Sequence, residues 1–175
     1  LETQIITSLL GVSGALIGAF GGALLANHFA EKRATKQAQQ DAAKEKKKLL
    51  ISKTEELHIL ISKWSKFISN LQNNRLRLLS GKISLSDYHD NVVALELENG
   101  VHDRLEALIH LYFPSLEADL LDVKSFLKVS NKTENDVLKH RIKSEEAFHI
   151  ICDCGTKLEN KFVQMNKQLV SSLQL

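Results

Sequence analysis

Proline is almost missing from this chain: Pro114 is its one instance among 175 residues. Cysteine is nearly as scarce. Cys152 and Cys154 are too few to suggest a disulfide framework, and their CxC spacing is not the CxxC of a redox or zinc site. On a helix two positions so spaced point roughly 160° apart. His149 lies one turn before Cys152, but no metal site is assigned to this group, and no metal or other cofactor is expected. The sequence has no GxxxxGK phosphate loop and no HExxH zinc motif. It shows little strand-like alternation and no internal repeat. The acid pairs Glu96/Glu98 and Glu117/Asp119 are each two residues apart, which separates their members on a helix and makes poor acid–base machinery. Asp103, His102 and His110 are equally unspecific, and no catalytic residue is assigned. The expectation is a protein that is not an enzyme.

Charge is also missing from one long stretch. Ile5 to Ala26, 22 residues, carries none. As a helix it would rise about 33 Å, close to the hydrocarbon thickness of a bilayer. A cleaved signal peptide would need a basic leading region, whereas Glu2 is the only charge ahead of the stretch. A buried helix of this length would consume much of a small chain's apolar surface. The expectation is therefore a transmembrane anchor over 1–30. Gly14, Gly18 and Gly22 lie four apart on one face, beside a row formed by Gly11, Ala15, Ala19 and Ala23. That spacing predicts a close helix–helix interface in the membrane and a homo-oligomer.

No basic side chain precedes the stretch, while Lys32, Arg33, Lys36, Lys44, Lys46, Lys47 and Lys48 follow it. The positive-inside rule then predicts a single-pass protein of the inner membrane with its C-terminal body in the cytoplasm. The net charge of +2 conceals an asymmetry: residues 32–82 hold 13 Lys/Arg against 4 Asp/Glu, and residues 83–175 hold 10 against 15. Attraction to an anionic lipid bilayer explains the basic part most simply. Without a visible reading module, stable DNA or RNA binding is not expected.

Residues 26–48 contain neither glycine nor proline and are rich in good helix formers. They predict a basic juxtamembrane stalk over 31–48, a flexible tether being the alternative. Beyond it lies a helical domain over 49–175. Leu50, Leu57, Ile61, Trp64, Ile68 and Leu71 recur at helical intervals, and Gly81 is placed to end that helix. Ser84 and Asp87 have capping-box spacing. Gly100 can divide the next segment, whose later buried face would use Leu105, Leu108, Ile109 and Tyr112. Pro114 ends that helix or begins the next. A short helix over 115–130 and a long final one from Asn131 complete the pattern, the latter burying Val137, Phe148, Ile151, Leu158, Phe162, Met165 and Leu169. The fold class is all-α: an N-terminal transmembrane helix, a helical stalk and a cytoplasmic helical bundle. Tyr112, Phe113 and Trp64 are expected as core or interface aromatics.

One basic group stands apart. "VLKHRIK" presents Lys139, His140, Arg141 and Lys143. Arg141 can fork onto a phosphate while the lysines add charge, which makes these four the candidate ligand-binding residues for an anion such as a nucleotide. A solvated helix face, or salt bridges with nearby acids, is the competing account.

The layout of small-residue anchor, basic stalk and helical body resembles small membrane effectors of prokaryotic antiviral defence, among them CRISPR-associated effectors activated by cyclic oligoadenylate. The resemblance places assembly on Gly14, Gly18 and Gly22, and sensing of an anionic nucleotide second messenger on Lys139, Arg141 and Lys143. Two functions are expected in order: a membrane-anchored, self-associating interaction protein, and then a ligand-gated membrane effector whose body binds the nucleotide and perturbs the bilayer.

Overall fold

The computed structural model describes the backbone of residues 2–172, and side chains for Gly22 and residues 24–171. The described residues form five α-helices and one 3-10 turn: α1 Glu2–Leu79, α2 Leu85–Val93, α3 Val101–Tyr112, the turn Pro114–Leu116, α4 Glu117–Leu138 and α5 Ser144–Ser172. The chain divides into two units, Leu1–Leu49 and Leu50–Leu175, and α1 contributes to both.

The membrane anchor requires correction. Among the described residues no helix is long and apolar enough to cross a membrane. In the described part of α1, Gly22, Leu24, Leu25 and Ala26 are followed at once by Asn27, His28, Glu31, Lys32 and Arg33, an apolar run far shorter than a span. A span needs about 20 consecutive apolar residues. Residues 5–21 and Ala23 of the stretch lie outside the described side chains. The single-pass topology, the inner-membrane and cytoplasmic placement, and the lipid-bilayer partner all rested on that span and fall with it. So do both expected functions, the self-associating membrane-anchored protein and the nucleotide-gated membrane effector. The homo-oligomer and second-messenger partners lose the support those functions lent them, and nothing among the described residues tests them. What stands is an all-α, multi-helix bundle.

In the first unit every described side chain is exposed, Leu24, Leu25, Phe29 and Leu49 included. Alanine recurs every fourth residue there, at Ala26, Ala30, Ala34, Ala38 and Ala42. This is the best helix former placed where packing contributes nothing.

The second unit holds the core. Leu57, Ile61, Trp64 and Ile68 of α1 meet Leu105 and Ile109 of α3, Leu120 and Val123 of α4, and Leu158, Phe162, Met165 and Leu169 of α5. The rings of Trp64 and Phe162 pack edge to face, 5.4 Å between centroids. The backbones of α4 and α5 run closest together. Phe113, not Tyr112, is the aromatic that the end of α3 buries.

The helix ends follow local chemistry. Gly81, at φ +69°, closes α1, with the Gly81 amide on the Leu78 carbonyl at 3.0 Å and the Lys82 amide on the Arg77 carbonyl at 2.9 Å. This is a Schellman cap with glycine at its left-handed position. The Ser84/Asp87 capping box opens α2 with both reciprocal hydrogen bonds made. Gly100, at φ +80°, precedes α3, and Pro114 begins the 3-10 turn. The last two helices differ from expectation. α4 continues to Leu138 instead of ending near Ser130, and the break falls at 139–143. Gly155 does not interrupt α5.

Candidate functional site

Gln72 and Arg75 follow Ile68 at intervals of four and three, in phase with the buried stripe of α1. Both are buried, so the stripe changes from apolar to polar as α1 approaches its end. Leu71, expected there, is only half-buried. Such groups must be hydrogen-bonded, and these are. Gln72 Nε2 donates to Ser130 Oγ at 2.9 Å, Arg75 Nε to Glu134 Oε2 at 2.7 Å, and Arg75 Nη2 to Asn131 Oδ1 at 2.6 Å. Tyr88 of α2 donates its hydroxyl to the other Glu134 oxygen. Burial, and then the Glu134 carboxylate, push the Tyr88 phenol up to about 12. Among the described residues no buried side-chain polar atom lacks a partner. The network ties α1, α2 and α4 in one register.

Beyond it, the same end of the unit opens into a cleft of about 920 Å³. Its floor is aliphatic: Leu78 and Leu79 from α1, Leu85 from α2, Val137 and Leu138 from α4, and Ile142 from the following turn. Leu85 and Leu138 are 47% and 40% exposed, well outside the core. The rim is His140, Arg141 and Lys143, with Ser144 and Glu146 of α5.

The rim's shape comes from the way α4 stops. His140 is the one described non-glycine residue with a left-handed backbone, φ 55°. Its amide donates to the Val137 carbonyl and the Arg141 amide to the Asp136 carbonyl, each at 2.8 Å. This is again a Schellman cap, with histidine at the position where α1 uses glycine. Histidine tolerates that conformation better than bulky residues do, but at a cost glycine avoids.

The candidate ligand residues Lys139, His140, Arg141 and Lys143 thus all occupy the α4–α5 turn, and the last three line the cleft. Arg141 Nη1 lies 3.3 Å from Asp136 Oδ1, an exposed pair. Among the described residues Lys139 and Lys143 have no carboxylate partner. Lys139 sits at the C-terminus of α4, where a cation complements the helix dipole. Lys143 sits just before α5, where a cation does not. Gly14 and Gly18 lie outside the described side chains. Gly22 is exposed, and a Cβ added there would meet nothing within 4 Å.

Several of the other candidate groups serve structure. Glu98 pairs with Lys63 at 2.7 Å and Glu117 with His110 at 2.8 Å. Asp119 is buried between Lys161 and Gln168, at 2.8 and 2.9 Å. Cys154 is buried while Cys152 is exposed. Among the described residues no three His, Cys, Asp or Glu side chains are grouped to hold a metal ion. Sequence reading missed the cleft floor and the polar network. The phase of Gln72 and Arg75 was the available signal for the network. Leu78, Leu79 and Leu85 carried none, because an aliphatic side chain looks the same at a groove as in a core.

Comparison with family models, curated proteins and solved structures finds no match for this chain.

Proposed function

We propose that the unit formed by residues 50–175 is a docking module, not an enzyme, and that its cleft holds a segment of a partner protein. The observation that carries this reading is the cleft itself: six aliphatic side chains from α1, α2, α4 and the α4–α5 turn face an open space of about 920 Å³ that no part of the described chain fills. Apolar surface gains about 25 cal/mol per Å² on leaving water, so such a floor favours an apolar occupant. The buried network behind it supports the same reading, since α2 and α4 are fixed before anything binds and little ordering cost remains to be met.

The test is selection of short displayed peptides on the full-length protein, followed by binding to variants. Leu138→Asp and Leu85→Asp should each abolish binding of the enriched peptides while leaving the melting temperature nearly unchanged, because both side chains are partly exposed. Enriched peptides that bind these variants as tightly as the parent would place the docking site elsewhere and end the proposal.

A further inference from the structure

We infer that the occupant of this cleft is an acidic amphipathic segment of a protein, with aliphatic side chains for the floor and carboxylates for the rim. The inference rests on the docking reading above and adds the partner's chemistry to it.

Two turns border the cleft. Residues 77–86 contain Arg77 and Lys82 and no acid, and residues 137–144 contain Lys139, Arg141 and Lys143 and no acid. Three nearby carboxylates are committed, while Glu145 and Glu146 of α5 have no cationic partner among the described residues. Asp136 pairs with Arg141, Asp87 caps α2 through Ser84, and Glu134 is held by Arg75 and Tyr88. Glu146 is the one acid on the lining. Among the described residues Lys82, Lys139 and Lys143 have no carboxylate partner, and they outnumber the unpaired acids Glu145 and Glu146, which leaves the two turns with an excess of positive charge. Helix-end chemistry accounts for Lys82 and Lys139, which follow the C-termini of α1 and α4, but not for Lys143 ahead of α5. An aliphatic floor under a cationic rim complements one kind of ligand: leucine-like anchors on one face and glutamate or aspartate beside them. The lining contains no phenylalanine, tyrosine or tryptophan, and His140 is its one aromatic ring, a narrow platform for a stacked nucleic-acid base.

The experiment uses the full chain and fluorescence anisotropy with labelled synthetic probes. The first is a short helical peptide with leucines on one face and glutamates elsewhere. The second carries lysine for every glutamate, and the third serine for every leucine. The first probe should bind at least about tenfold more tightly than either of the others, and added salt should weaken it. In the double variant Arg141→Glu, Lys143→Glu the preference should invert, the lysine probe binding more tightly than the glutamate probe. Inversion in a variant that keeps the parent's melting temperature is gained binding by the folded cleft. If the glutamate and lysine probes bind equally and both lose affinity in Leu138→Asp, the acidic-partner inference fails and the docking reading survives. If no leucine-bearing probe binds, both fail. If the serine probe, anionic vesicles or single-stranded DNA bind as tightly as the glutamate–leucine probe, the site is a general anion surface and the inference is overturned.

Discussion

His140 occupies a left-handed position at which the neighbouring helix end has Gly81. An L-residue there costs about 1–2 kcal/mol of local conformational energy, and glycine gives some of that back through its looser unfolded chain. His140→Gly should therefore raise stability by about 0.5–1 kcal/mol, read from the urea midpoint. Arg75 is the opposite case. It is buried and holds Glu134, so Arg75→Leu strands a carboxylate and should cost about 3 kcal/mol or more in the same measurement. Tyr88 gives a pH signature. Its ordinary value is 10.0 and the fold raises it to about 12, so the folded state binds the phenolic proton more tightly than the unfolded chain does. Its contribution is complete below about pH 10 and is lost as pH climbs toward about 12. Denaturant titrations across that window should show falling stability for the parent and a shallower fall for Tyr88→Phe.

At the level of elements, the start of α2 depends on Ser84, whose side chain accepts from the Asp87 amide at 3.1 Å. Ser84→Ala should cost about 1 kcal/mol, and because Leu85 lies on the cleft floor it should weaken docking as well. The exposed length of α1 stands on propensity alone, with a single ion pair among its described residues before Leu49, Lys44 to Asp41 at 3.7 Å. Amides of 24–48 should exchange with solvent far faster than those of 57–68, and Ala34→Gly should speed that exchange without moving the melting temperature of the second unit. Helix boundaries were legible where the residue itself dictates the conformation. Gly81, Gly100, Pro114 and the Ser84/Asp87 pair each mark the end or start they were read for. The α4–α5 break was not legible, because its left-handed position is filled by a histidine and its hydrogen bonds involve only backbone atoms. The basic group at 139–143 was visible as charge. That it forms one wall of an aliphatic cleft depends on α1 and α2 arriving there from 60 residues away, which no local pattern reports.

Taken whole, the molecule's apolar core lies between Leu57 and Leu169, within one of the two units. A chain beginning at Leu50 should accordingly unfold with the midpoint of the full-length protein, and loss of cooperative melting in that fragment would contradict the division. The apolar N-terminal stretch shows why composition alone misled. Hydrophobicity summed over 5–26 has the length of a span, yet the described residues of the helix that carries it contain no membrane-crossing segment. The chain has a single tryptophan, and it is Trp64, 4% exposed, edge-on to Phe162 and 5.0 Å from the ring of His102. Its intrinsic emission is thus an unlabelled optical gauge of the α1–α3–α5 packing. It should shift to the red only when that packing opens.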